Sequence, residues 1–175
     1  SDKVTLWLVV AVFMIGFGMG GFITLFPVWA TDILNGGVEY NGYLISFRGL
    51  GSVIGALILA SLSKLQIKGI LFTIGSIFTP AIMILFTFTR SLQSSLTVLF
   101  FMGMVFMLFI NTCNSMVQER VSDKLRGRVM SIYSLSLMGA FSLGGLIVAS
   151  LADVFTTPIS MLISSCMLFV FSLSI

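Results

Sequence analysis

The sequence contains no histidine and only two cysteines among its 175 residues. Histidine general bases, histidine-ligated haem and most zinc sites are therefore excluded. Cys113 and Cys166 lie far apart in apolar stretches and form no CxxC pattern, which is typical of reduced packing residues. We expect neither a metal nor another cofactor.

Charge is also scarce, at 9% of the residues, and all six acidic side chains lie at or near the ends of apolar segments. No pair of carboxylates shares a helix face inside such a segment, and neither a P-loop nor a Gly-x-Ser-x-Gly elbow occurs. This scarcity predicts that the protein is not an enzyme.

Long apolar segments make up most of the chain, which is 58% hydrophobic with a mean hydropathy of +1.15. Each segment has about 18 to 27 residues, enough to cross a hydrocarbon core of roughly 30 Å. Because lipid cannot satisfy backbone polar groups, such segments form helices. The sequence predicts an all-α membrane protein, one six-helix bundle over residues 1–175, with helices at 4–30, 42–62, 69–88, 94–117, 128–152 and 158–175.

The net charge of +3 reflects topology rather than nucleic-acid binding. Seven basic residues fall on one side of the predicted membrane, and only Arg90 lies on the other. The seven are Lys3, Lys64, Lys68, Arg120, Lys124, Arg126 and Arg128. The positive-inside rule places their side, with both termini, in the cytoplasm. Trp29 is predicted at the outer interface and Tyr133 at the inner one.

An octapeptide recurs in the second and fifth helices, at residues 55–62 and 144–151. Six of the eight positions are identical at an offset of 89 residues. Helices three apart in order cross the membrane in opposite directions, so the repeat predicts a three-plus-three inverted arrangement. The alternative is that small apolar residues recur by chance.

Small residues four apart, such as Gly51 with Gly55 and Ala140 with Gly144, share a helix face. They predict close approach of neighbouring helices. Pro27 and Pro80 are candidate kinks in the first and third helices.

Arg48 is the outlier among the charges, because it lies about seven residues inside the predicted second helix, with Ser52 one turn further in. A lipid-facing arginine there is costly. Arg48 can face a cavity and attract an anionic substrate, or pair with Asp32 as an outer gate. Alternatively, it can extend towards the outer headgroups.

Asn111, Asn114, Ser115 and Gln118 form one polar stripe along the fourth helix. The stripe is either a cavity wall that hydrogen-bonds a substrate or a set of contacts that join helices.

Arg126 and Arg128 precede or begin the fifth helix, where the helix dipole disfavours cations. Anionic lipid, Glu119 or Asp123, or carbonyls at a neighbouring helix end must offset this. We expect a structural latch at the inner face.

Three stretches resemble the C-terminal half, helices seven to twelve, of a major facilitator superfamily transporter in the bacterial macrolide and siderophore efflux branch. They are residues 25–30 with Asp32 and 42–44, the glycine-rich residues 49–56, and Asn111, Asn114 and Gln118 with residues 121–131.

The resemblance implies half of a twelve-helix exporter or antiporter in the bacterial inner membrane. It also implies an N-terminal six-helix half, absent here, and a small, bulky amphipathic substrate moved by alternating access. The chain starts without methionine and ends inside an apolar segment, so we expect a piece of a longer polypeptide. The rival hypotheses are a six-helix structural subunit of a larger membrane complex and a homodimerising half-transporter.

Overall fold

The computed structural model describes residues 3–62 and 67–173, which form helices joined by short connections. In chain order these are α1 (Lys3–Thr24), α2 (Phe26–Val28), a π-helical segment (Trp29–Ile33), α3 (Val38–Leu62), α4 (Lys68–Thr87), α5 (Leu92–Arg120), α6 (Asp123–Val154) and α7 (Thr157–Leu173). Lys64, one of the predicted inner cations, lies outside the described residues.

Five of the described helical stretches are long and apolar enough to cross a membrane. The first, Val4–Ile33, joins α1, α2 and the π segment; α3, α4, α5 and α6 are the other four. The apolar α7 is shorter, at 17 residues. The chain is therefore an all-helical membrane protein.

Several helices extend beyond the predicted bounds. α3 begins at Val38 rather than at residue 42, and α6 begins at Asp123 rather than at residue 128. The predicted limits followed the apolar residues, but polar residues at a membrane surface can continue the same backbone hydrogen bonds. Glu39 and Asp123 also place an acid in the first turn of each helix, where the dipole favours it.

The first span is interrupted near its end, where the sequence predicted a kink. Pro27 lies in the second position of α2 and has no N–H to donate one turn back. Beyond it, the N–H of Leu34 donates to the carbonyl of Trp29 at 3.1 Å, which is the wider spacing of a π turn. By contrast, α4 continues as one helix through Pro80.

Two helix pairs form the tightest packing: α1 with α6, and α3 with α5. A side chain at Gly55 would collide with the carbonyl of Met104 on α5. In the same way, a side chain at Gly144 would collide with the carbonyl of Phe17 on α1. The small residues thus allow backbone-to-backbone contact, as their spacing predicted. α4 packs between α5 and α7.

The two ends of the bundle differ in composition. The basic end carries Lys68, Arg120, Lys124, Arg126 and Arg128, at the connections from α3 to α4 and from α5 to α6. The aromatic end contains the rings of Phe22, Phe26, Trp29 and Phe86, all with 0% exposure.

Two residues predicted at the membrane interfaces are buried within the bundle. Trp29 packs on Phe86 with ring centroids 4.8 Å apart. Tyr133 is 2% exposed, and its hydroxyl donates to the carbonyl of Ile110 at 3.1 Å. Both rings lie against neighbouring helices, and the Tyr133 hydroxyl keeps a hydrogen-bond partner there, as is usual for a buried tyrosine.

Candidate functional site

The polar stripe of α5 lies along an open groove at the basic end. Asn111, Asn114 and Ser115 are half-buried, and Gln118 is exposed. The Asn111 amide donates to the carbonyl of Met107 at 3.0 Å, one turn earlier. The Gln118 amide donates to the Asn114 side chain. These bonds stay within α5, so they do not join it to another helix.

The groove consists of two cavities that share Asn111 and Ser115. The first, of about 430 Å³, lies between α3, the start of α4 and α5. It is lined by Ala56, Leu59, Ala60, Lys68, Met107, Asn111, Thr112 and Ser115. The second, of about 350 Å³, is lined by Asn111, Asn114, Ser115, Gln118, Glu119 and Arg126. We call the first cavity the α3–α4 groove and the second the α5–α6 cleft.

Lys68 is the main residue of this site that the sequence reasoning missed. Its ammonium donates to the hydroxyl of Ser115 at 2.9 Å and forms an ion pair with Glu119. These contacts connect α4 to α5. Glu119 follows Ser115 by four residues and so continues the predicted stripe by one turn, a signal that could have identified the pair.

Arg48 lies farther from the start of its helix than predicted because α3 begins earlier. It is ten residues from Val38, about 15 Å along the helix. Its Nε is buried and has no hydrogen-bond partner among the described residues. The Ser52 hydroxyl donates to the carbonyls of Arg48 at 3.1 Å and Gly103 at 3.3 Å. Ser52 therefore lies in the seam between α3 and α5.

Asp32, the predicted partner of Arg48, lies exposed in the π segment and accepts a hydrogen bond from the Thr31 hydroxyl at 2.7 Å. Within the described part of the chain, no ion pair joins Asp32 to Arg48.

At that same end, Arg90 is a second residue that sequence reasoning missed. Its guanidinium lies 5.6 Å from the centroid of the Trp29 ring and donates to the carbonyls of Thr87 and Thr89, each at 2.7 Å. Arg90 thus holds the end of α4 against the first span.

The predicted latch residues lie in the first two turns of α6. Arg126 pairs with Asp123 at 2.8 Å, a local contact within one helix. Asp123, in the first turn, offsets the unfavourable effect of the helix dipole on these arginines. Arg126 also lines the α5–α6 cleft with Glu119, whereas Arg128 is exposed.

The site thus combines amides, hydroxyls and two cations around an open groove in an otherwise apolar bundle. Such a lining can hydrogen-bond a solute and attract negative charge.

A family model described as transmembrane secretion effector, within the major facilitator superfamily, matches residues 1–175. No curated protein matches the chain. No solved structure matches it either.

Proposed function

This chain belongs to the transmembrane secretion effector family of the major facilitator superfamily, and from that premise we propose that it is the C-terminal six-helix half of an exporter. The family supports a role in transport. In our proposal the protein moves a small, bulky amphipathic molecule out of a bacterial cell by alternating access. Its basic end lies in the cytoplasm, in agreement with the positive-inside rule.

The observation that carries the proposal is the open polar groove. Asn111 and Ser115 line both of its cavities, although they lie in a helix whose most apolar stretch of 18 residues has a mean hydropathy of 2.1. Lipid offers no partner for amides and hydroxyls, so polar groups inside a span face a water-filled cavity or another helix. An open groove of this size favours a surface that meets water and solute.

The packing supports the three-plus-three repeat as part of this proposal. Gly103 of α5 approaches the carbonyl of Arg48 on α3, and Gly16 of α1 approaches the carbonyl of Leu137 on α6. Arg48 and Leu137 differ by 89 residues, the offset of the recurring octapeptide, and Gly16 and Gly103 differ by 87.

A second pair of contacts follows the same offsets. The collision of Gly55 with Met104 matches that of Gly144 with Phe17. Gly144 follows Gly55 by 89 residues, and Met104 follows Phe17 by 87. Chance recurrence of small residues predicts no such matching of contacts in space.

The exposure of α3 and α6 supports the proposal of a second six-helix unit. Only 17% of the most apolar window of α3 and 22% of that of α6 are buried, against 61% for the first span. In a transporter of two rocking halves, these two helices would meet the other half. The rival hypotheses, a homodimer and a structural subunit, would place a different partner there.

Cysteine accessibility tests the groove in the full-length protein. In a Cys113→Ala, Cys166→Ala background, we expect Asn111→Cys to react with a membrane-impermeant thiol reagent applied to inside-out vesicles. Leu146→Cys is the matched control, since Leu146 is 68% exposed on an apolar helix face and should face lipid or a partner helix. Equal lack of reaction at both positions would contradict a water-filled groove and favour the structural subunit.

The intact mass of the native polypeptide tests the half-transporter proposal. A mass about twice the 19.0 kDa of this chain, or more, is expected for two six-helix repeats. A native mass near 19.0 kDa would instead favour the homodimer or the complex subunit.

A further inference from the structure

We propose that the α3–α4 groove binds an amphipathic anion, with its negatively charged head at Lys68 and its apolar chain along α3 and α5. A role for this binding in export rests on the proposed function, but the binding itself does not. Lys68 and Ser115 are then binding residues. When no ligand is present, Glu119 forms an ion pair with the Lys68 ammonium.

The polar end of the groove has the donors that such a head requires. The Lys68 ammonium already donates to the Ser115 hydroxyl at 2.9 Å, so the two groups converge on one point. Asn111 adds an amide one turn earlier in α5. Thr112 also lines the groove, but it is only 1% exposed, so its buried hydroxyl is not one of these donors.

Among the described residues, no acidic side chain lines the α3–α4 groove. The anionic partner of Lys68, Glu119, lines the neighbouring cleft instead, and its side chain is 60% exposed. Exposed ion pairs are weak because water screens them. An anion that enters the groove can therefore take the place of Glu119 at small cost.

The rest of the groove is apolar and suits a short hydrocarbon chain. Ala56, Leu59 and Ala60 on α3 and Met107 on α5 form this part. Ser115 and Met107 are eight residues apart, about 12 Å along a helix. Lys68 is the first residue of α4, so the head would lie near the membrane surface and the chain would point into the membrane.

Photocrosslinking of the full-length protein in phosphatidylcholine nanodiscs tests this proposal. The probes are a ten-carbon diazirine carboxylate and the matched alcohol, and the readout is the crosslinked fraction by intact-protein mass spectrometry. We expect Lys68→Gln to raise the half-saturating concentration of the acid about fivefold, since it removes one charge contact. The value for the alcohol should not change.

Glu119→Gln separates a binding site from a structural ion pair. Both variants break the same ion pair, so a merely structural role predicts that they change acid binding in the same direction or not at all. That result would overturn the proposal. We expect instead that Glu119→Gln lowers the half-saturating concentration about twofold, because it frees Lys68.

Two controls complete the experiment. Lys124→Gln removes an exposed charge at the same end of the bundle and should leave both probes unaffected. Lys68→Arg keeps the charge and should retain the preference for the acid. If Lys68→Gln yields no folded protein, the comparison of Glu119→Gln with Lys124→Gln still decides the question. We expect tighter acid binding for Glu119→Gln and no change for Lys124→Gln, and equal values for the two variants would overturn the proposal.

The source of the anionic head is identified by adding phosphatidylglycerol to the nanodiscs. If it weakens acid labelling of the wild type but not of Lys68→Gln, the natural occupant is an anionic phospholipid. If it has no effect, the occupant is a free amphiphile. Unchanged export by Lys68→Gln, together with lost binding, would refute only the role of the groove in transport.

Discussion

At the aromatic end of the bundle, four rings are fully buried against one another, whereas at the basic end the charged side chains remain partly in solvent. Phe22 lies 5.1 Å from Phe86, and Phe86 lies 4.8 Å from Trp29, as ring-centroid distances. Lys68 and Glu119 keep 34% and 60% of their side chains exposed. Packing therefore holds one end, and exchangeable polar contacts hold the other. In the transport role proposed above, the first end would be the fixed region and the second the region that rearranges.

Phe86→Ala should give the largest loss of stability, because it empties the centre of the aromatic end. Phe86 contacts Phe22, Phe26 and Trp29. We expect a loss of about 3 kcal/mol in the free energy of unfolding. Denaturation in detergent, followed by circular dichroism, measures it. Phe78→Ala is the matched control, since Phe78 is 53% exposed. Equal losses for the two variants would show that the aromatic end does not anchor the fold.

Arg90→Gln should give an intermediate effect at the same end. The change removes the cation from the Trp29 ring and weakens the donation to the carbonyls of Thr87 and Thr89. We expect a loss of about 0.5 to 1 kcal/mol, the usual worth of a cation–π contact at an exposed site. Arg128 is an exposed arginine at the basic end, and Arg128→Gln should lower the free energy of unfolding less than Arg90→Gln, in the same denaturation assay. A larger loss for Arg128→Gln would contradict the comparison between the two ends.

Asn111→Leu should have the smallest effect on stability and a clear effect on export. The Asn111 amide bonds only within α5 among the described residues, so its loss should cost less than about 1 kcal/mol. Export per molecule should fall, because the groove loses a polar group shared by both cavities. Efflux assays at matched protein abundance measure this. A large fall in stability with unchanged export would assign Asn111 to packing.

Much of the fold could be predicted from the sequence, because the bilayer imposes strong rules. Apolar length identified the spans, and the spacing of Gly51 with Gly55 identified a close crossing that the structure contains. The ends of the helices were harder to predict. α6 starts at Asp123, in polar sequence that hydropathy treats as a connection.

The site was only partly predictable. The period of an α-helix placed Asn111, Asn114 and Gln118 on one stripe. It could not bring Lys68 to Ser115, because that contact depends on how α4 packs against α5. Nor could it show that the Ser52 hydroxyl bonds to the backbone of α5. Contacts between helices distant in sequence follow from packing geometry, which no local pattern records.

The π-helical segment has a consequence for changes in chain length. Each turn of a π helix holds about one residue more than a turn of α-helix, so Trp29–Ile33 contains a surplus residue. Removing one exposed residue here, such as Thr31, would let the segment rewind as an α-helix while Trp29 keeps its contact with Phe86. The same deletion in the middle of α3 would rotate every later side chain by about 100°. The end of the first span is therefore a place where this fold can lose a residue without losing its helical register.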